Sequence, residues 1–166
     1  PGGTLRFSAS ATGTDSATSA TDTSKPASAE VAVPARAALS LVIQVSGQEV
    51  PVNGTVTVTA VISNTGFALA SNVSLSPWYA AGQGGVQKVS GPIPPYFDVL
   101  AGKSVTVVYT YRATAPGTVV FKGVATGTDI GASAAVYSPE ASSAALTVTE
   151  SSAYTLLYAD LLSALA

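Results

Sequence analysis

The chain has no cysteine, no histidine and no methionine, and it is poor in charge. Without cysteine there is no disulfide, no thiolate nucleophile and no thiolate zinc ligand. Without histidine there is no Ser-His-Asp triad and no imidazole ligand. Charged residues are 10% of the 166 positions, against about 25% in an average soluble domain. The 7 Lys and Arg are scattered among 9 Asp and Glu, so no nucleic-acid partner is expected. Mean hydropathy is high at +0.41, yet no apolar run approaches the ~18 residues of a membrane helix. No transmembrane segment is expected. Missing cysteine fits a surface protein that does without disulfides, and equally a cytosolic one. Pro1-Gly2-Gly3 is no signal peptide, so a removed leader or a longer parent chain is expected.

What is present is an internal repeat. Gly3-Thr4-Leu5-Arg6-Phe7-Ser8-Ala9-Ser10-Ala11-Thr12-Gly13-Thr14-Asp15 returns as Gly117-Thr118-Val119-Val120-Phe121-Lys122-Gly123-Val124-Ala125-Thr126-Gly127-Thr128-Asp129. The offset, 117 − 3, is 114 residues. Each copy leads into a Ser/Ala/Thr-rich loop with Pro26 or Pro139. A short alternating strand follows, Ala29–Val33 or Ala144–Val148, and one extra residue in the second loop is needed to align them. A period near 114 is about one immunoglobulin-size sandwich. Three domains are therefore expected: 1–36, the last two strands of a preceding repeat or a donor segment; 37–150, a complete sandwich; and 151–166, a C-terminal tail.

The middle segment reads as all-β by its period of two. Leu39, Leu41, Ile43 and Val45 alternate with more polar neighbours. So do Val56, Val58, Ala60 and Ile62, then Val73 and Leu75, then Val105, Val107, Tyr109 and Tyr111. A further short strand is expected around Val86–Val89. Asn53-Gly54, Asn64-Thr65-Gly66, Gly82–Gly85, Gly91-Pro92, Ala101-Gly102 and Pro116-Gly117 mark turns between these runs. That spacing leaves no room for crossover helices. The fold expected is an all-β, immunoglobulin-like β-sandwich with an N-terminal two-strand segment. Leu156, Leu157, Leu161, Leu162 and Leu165 share one helical stripe, so a short C-terminal helix is expected, with the first strand of a next repeat as the alternative.

The run Gly54-Thr55-Val56-Thr57-Val58-Thr59-Ala60-Val61-Ile62-Ser63-Asn64-Thr65-Gly66 resembles the strand and turn of CARDB-type and related Ig-like repeats of prokaryotic surface proteins. Leu100-Ala101-Gly102-Lys103-Ser104-Val105-Thr106-Val107-Val108-Tyr109 is similar to a second element of those repeats. The resemblance covers residues 37–150. It implies a seven- or eight-stranded sandwich used in stalks, adhesins, surface layers and fibres, and it implies no catalytic residues.

Most local motifs have a plain structural reading. Ala101-Gly102-Lys103-Ser104 lacks the earlier glycine of a phosphate loop and leads into a strand. Gly82-Gln83-Gly84-Gly85 lacks the third glycine of a dinucleotide loop. Asp15 and Asp129 each bring one carboxylate to a Thr-Gly-Thr-Asp loop, where calcium wants six to eight oxygens, so an Asx-type turn is expected. Glu49, Asp98, Asp129 and Glu140 are spread singly, which gives no reason to expect a catalytic pair. Accordingly no enzyme, no cofactor and no metal are expected. Asn53 and Asn72 lie in sequons and are candidate glycosylation sites. Trp78, Tyr79, Tyr96 and Phe97 form a candidate partner or carbohydrate patch beside loops, with loop packing as the alternative.

The function expected is that of a structural subunit in an extracellular filament or cell-surface array. Leu5, Phe7, Ala9, Ala11, Val31 and Val33 carry the assembly strands, which add to a neighbouring sheet. The partners are copies of the chain or adjoining repeats. The alternatives are a fragment of a long tandem-repeat adhesin or stalk, and a carbohydrate-binding accessory module. Low charge supports the first class. Thr57, Thr106, Val108, Val120 and Val124 stand at outward positions, where a solitary domain places Lys and Glu to guard its sheets.

Overall fold

A computed structural model describes residues 2–150. The expected C-terminal helix lies outside the described residues. Those described form strands and turns without a helix, and they divide after Ala35 into two compact units.

The first unit holds four strands: β1 (Gly3–Ala9), β2 (Thr12–Thr14), β3 (Thr21–Thr23) and β4 (Ala27–Val33). β1 pairs with β4 and β2 with β3, both antiparallel, as one long hairpin.

The second unit holds the remaining eleven: β5 (Leu39–Val45), β6 (Glu49–Pro51), β7 (Thr55–Asn64), β8 (Ala70–Gly82), β9 (Gly85–Ile93), β10 (Phe97–Val99), β11 (Ser104–Ala115), β12 (Gly117–Asp129), β13 (Ala134–Tyr137), β14 (Ala141–Ser142) and β15 (Leu146–Thr149). One sheet runs β5-β7-β11-β9. The other runs β10-β8-β12-β15-β6, with β13 and β14 also on β12. β6 is parallel to β15, and the other pairs are antiparallel.

The two sheets face each other as a sandwich, and the alternating residues fill the space between them. Val56, Val58, Ala60 and Ile62 are buried on β7, and Leu39, Leu41 and Ile43 on β5. Val107, Tyr109, Tyr111 and Ala113 face inward from β11. Val119, Phe121 and Ala125 meet them from β12. An aromatic layer joins the sheets. Trp78 of β8 stacks on Tyr109 of β11 at 4.4 Å, and Tyr111 packs against Phe121 at 4.8 Å. The Trp78 indole N–H donates to the Tyr111 hydroxyl at 2.8 Å, so the polar tips of these two rings are satisfied within the layer. Burial, reinforced by the neighbouring Tyr111, holds the Tyr109 phenol far above its ordinary pKa. Burial raises Tyr111 too, against the Trp78 hydrogen bond, which lowers it.

Several strands depart from the sequence reading. β3, β10, β13 and β14 lie where loops were expected. β8 continues through Trp78 and Tyr79, which were expected beside loops. β9 runs from Gly85 to Ile93, well beyond Val86–Val89. The three-residue β6 was not expected at all. So short a parallel partner has no periodic signature of its own; only Val50 turns inward from it.

Asn64 ends β7 and ties its surroundings together. Its side-chain amide donates to the Ala68 carbonyl at 2.7 Å and the Val99 carbonyl at 2.9 Å. Its side-chain oxygen accepts from the Ala38 N–H at 3.1 Å and the Gly66 N–H at 3.0 Å. Its main chain bonds Gly102 and Lys103. One buried side chain thus joins the start of β5, the β7–β8 loop and β10. This is the physical content of the Asn64-Thr65-Gly66 turn. Asn64→Ala takes the side-chain partner from four backbone groups, two in buried bonds and two in part-buried ones. Urea unfolding should show a loss on the order of 3–4 kcal/mol, whereas a change below ~1 kcal/mol would contradict this role.

Candidate assembly interface

The sequence repeat is a repeat of strand register. Gly3, Thr4 and Leu5 pair with Val33, Ala32 and Val31. Gly117, Thr118 and Val119 pair with Val148, Thr147 and Leu146. Farther along, Thr12, Gly13 and Thr14 pair with Thr23, Asp22 and Thr21, while Thr126, Gly127 and Thr128 pair with Tyr137, Val136 and Ala135. The second strand is therefore offset by 137 − 23 = 114 residues at its start and by 148 − 33 = 115 at its end. The extra residue falls between Tyr137 and Leu146.

Details of the turns repeat as well. Ser24 accepts the Ala11 N–H at 2.9 Å through its hydroxyl, and its own N–H donates to the Ala11 carbonyl at 2.8 Å. Ser138 treats Ala125 in the same way, at 2.9 Å for both bonds. The Asp15 carboxylate accepts the Ala17 N–H, and that of Asp129 accepts the Gly131 N–H. Both are Asx turns of the kind expected. The Ala17 N–H, followed by the hydroxyl and N–H of Thr18, holds the Asp15 carboxyl below its ordinary pKa.

The two hairpins differ in what covers them. Val119 and Phe121 are 1% and 0% exposed, and Leu146 and Val148 are 0% and 2%. Their counterparts Leu5, Phe7, Val31 and Val33 are 55%, 60%, 52% and 40% exposed. The hairpin nevertheless has a sorted pair of faces. Leu5, Phe7, Ala9, Val31 and Val33 share one face, while Arg6, Ser8, Ser28 and Glu30 share the other. On the polar face Arg6 and Glu30 approach to 3.8 Å, both well exposed, which adds little stability. The four large apolar side chains are already about half covered within the hairpin, so covering the rest is worth on the order of 3–6 kcal/mol. Ala11 follows β1 and is exposed too.

Glycines missed in the sequence reading carry the same message. A Cβ on Gly127 would lie 2.8 Å from the Val73 side chain and 3.0 Å from the Ser71 carbonyl oxygen. Gly117 has a positive φ, and a Cβ there would meet the β8–β9 turn at Gly84, 2.6 Å away. Their counterparts Gly13 and Gly3 have nothing within 4 Å and no positive φ. The signal for them was the repeat itself.

The remaining expectations fall out as follows. Trp78 and Tyr96 line one cleft of about 500 Å³ with Lys88, Pro92 and Pro95. Tyr79 points to the opposite face of β8 and donates to Glu140 at 2.9 Å. That bond, with burial and the Glu140 charge behind it, raises the Tyr79 pKa. Phe97 pairs with Val73 on β10. The four aromatics do not form one patch, because adjacent strand residues face opposite ways. Asn53 is exposed in the β6–β7 turn and accepts from Arg112; Asn72 is exposed on β8. Ala101-Gly102-Lys103 is a turn into β11, and Gln83-Gly84 links β8 to β9. Among the described residues no acidic cluster of metal-holding size occurs, and no helix is long and apolar enough to cross a membrane.

No family model matches the chain, and no curated protein sequence matches it. Among solved structures it is similar to the seventh ScaB type I cohesin from Pseudobacteroides cellulosolvens, at 12% identity and a TM-score of 0.31. The match covers 68% of this chain and 92% of that one. A likeness of that order adds nothing to the topology above.

One close contact separates the two hairpins. Gly123 lies opposite Trp78 in register, and a Cβ there would sit 2.6 Å from the indole ring. Gly123→Ala should therefore destabilise the second unit by about 1–3 kcal/mol, read as a lower urea midpoint. An unchanged midpoint would mean the ring moves aside freely.

Proposed function

We propose that this chain is a structural, non-enzymatic part of an extracellular cell-surface array or filament of immunoglobulin-like sandwiches. Its N-terminal hairpin adds strands to a neighbouring sandwich. The carrying observation is that β1–β4 repeats the register of β12–β15 while leaving its apolar face open. An isolated hairpin is marginal in water. A hairpin with one sorted apolar face is built to be covered.

The sheet orders support the immunoglobulin-like reading. β5-β7-β11-β9 corresponds to strands A, B, E and D, and β8-β12-β15 to strands C, F and G. β6 then takes the place of a short first-strand extension alongside the last strand. In the second unit, the place that a donated hairpin would fill is held by β12–β15. A folded copy of that unit therefore offers only its sheet edges, which favours an adjoining repeat with an open place as the neighbour. Strand addition of this kind runs head to tail and extends without closing. The carbohydrate-binding alternative is weaker, because the aromatics do not share one face: Trp78 stacks on Tyr109, while Tyr79 points the other way to Glu140.

The test is deletion of residues 1–36 from the surface protein that carries this sequence. The second unit should keep its urea midpoint, and the array or filament should be lost from electron micrographs. Unchanged assembly would overturn the proposal.

A further inference from the structure

The hairpin also carries information about which neighbour it fits. This inference rests on the reading of β1–β4 as a donated or closing hairpin.

We infer that residues 3–33 close a sandwich whose other strands are equivalents of β5–β11 from a sibling repeat, and that this sibling carries a residue smaller than Trp at the position matching Trp78. Three observations lead there. First, the missing neighbours are a face and two edges together. In the second unit, β12 gives its outer edge to β8, β15 gives its outer edge to β6, and their apolar face meets β11. Among the described residues, β1 pairs only with β4, and β4 only with β1. One added strand would leave Phe7 and Val31 open, whereas the strands of a whole sandwich minus its last hairpin would cover them.

Second, Gly3 and Gly13 gain a reason. At the matching positions, Gly117 makes room for the β8–β9 turn, and Gly127 for Val73 and the Ser71 backbone. Nothing in the hairpin itself demands glycine at 3 or 13. The demand comes from a strand like β8, with a turn like Gln83-Gly84, on the open edge of β1.

Third, Ala9 stands where the second unit has Gly123. The indole of Trp78 passes so close to Gly123 that a Cβ would lie 2.6 Å from it, closer than real Cβ contacts come. Ala9 carries that Cβ. Strands copied unchanged from residues 36–114 would meet it with Trp78. The hairpin thus fits a sibling with a smaller side chain there and resists the strands of the second unit. In a row of similar sandwiches, this contact lets the hairpin tell the neighbour it fits from the other repeats.

The test adds a second copy of residues 36–114 to the N-terminus of the full chain, joined directly to Pro1, which keeps the 114-residue spacing. Three versions are compared: one unchanged, one with Ala9→Gly in the hairpin, and one with Trp78→Leu in the added copy alone. Backbone hydrogen–deuterium exchange is read by mass spectrometry on peptides spanning residues 3–9. Both altered versions should exchange at least about 30-fold more slowly there than the unchanged one. Equal slowing in all three, relative to the chain without the added copy, would overturn the discrimination by Ala9. No slowing in any of them would overturn closure by strands of this kind. Neither result bears on whether assembly depends on residues 1–36, which the deletion reads separately.

Discussion

A two-stranded hairpin cannot cover its own apolar face, and the rest of this structure follows from that constraint. In the second unit β12 and β15 meet it by closing a sandwich. Val119, Phe121, Leu146 and Val148 lose nearly all their exposure, and the aromatic layer of Trp78, Tyr109 and Tyr111 locks over them. β8 and β6 occupy the two outer edges. In the first unit the same pairing stands with its apolar face open. Covering what these four large side chains still expose is worth on the order of 3–6 kcal/mol, a large part of the net stability of a small domain.

The fold is held with little charge. Two ion pairs occur among the described residues, Arg6 with Glu30 and Arg36 with Asp129. Uncharged polar side chains take on the work of satisfying the backbone. Asn64 bonds four backbone groups through its side chain, while Ser138 and Ser143 accept from β12 at Ala125 and Phe121, where the last strand leaves the ladder. Among the described residues, every buried side-chain nitrogen and oxygen has a partner. Such a core tolerates a surface of Thr, Ser and Val. Val42 and Val108 stay exposed on the outer face of their sheet, consistent with faces that meet other protein rather than water.

Much of this was legible in the sequence. The alternation at 56–62 and 105–111 gave the buried faces of β7 and β11 residue by residue, because a period of two leaves no other arrangement once one face is buried. The repeat carried still more. The 114-residue offset and the extra residue in the second loop both reappear as register. What was not legible depends on long-range neighbours. β6 has three residues and a parallel partner nearly a hundred positions away. Trp78 and Tyr79 look like one aromatic patch, yet strand geometry sends one to the core and the other to Glu140. The need for glycine at 123 appears only when the indole lies across from it.

The central claim is that residues 3–33 complete a sandwich rather than stand alone. A cryo-electron-microscopy reconstruction of the proposed assembly, at a resolution that separates strands, tests it most directly. It should show β1 flanked on its open edge by a strand antiparallel to it, β4 flanked by a short parallel strand, and Phe7 enclosed beneath a facing sheet. A hairpin with Phe7 and Val31 open to solvent in the assembled state would contradict it.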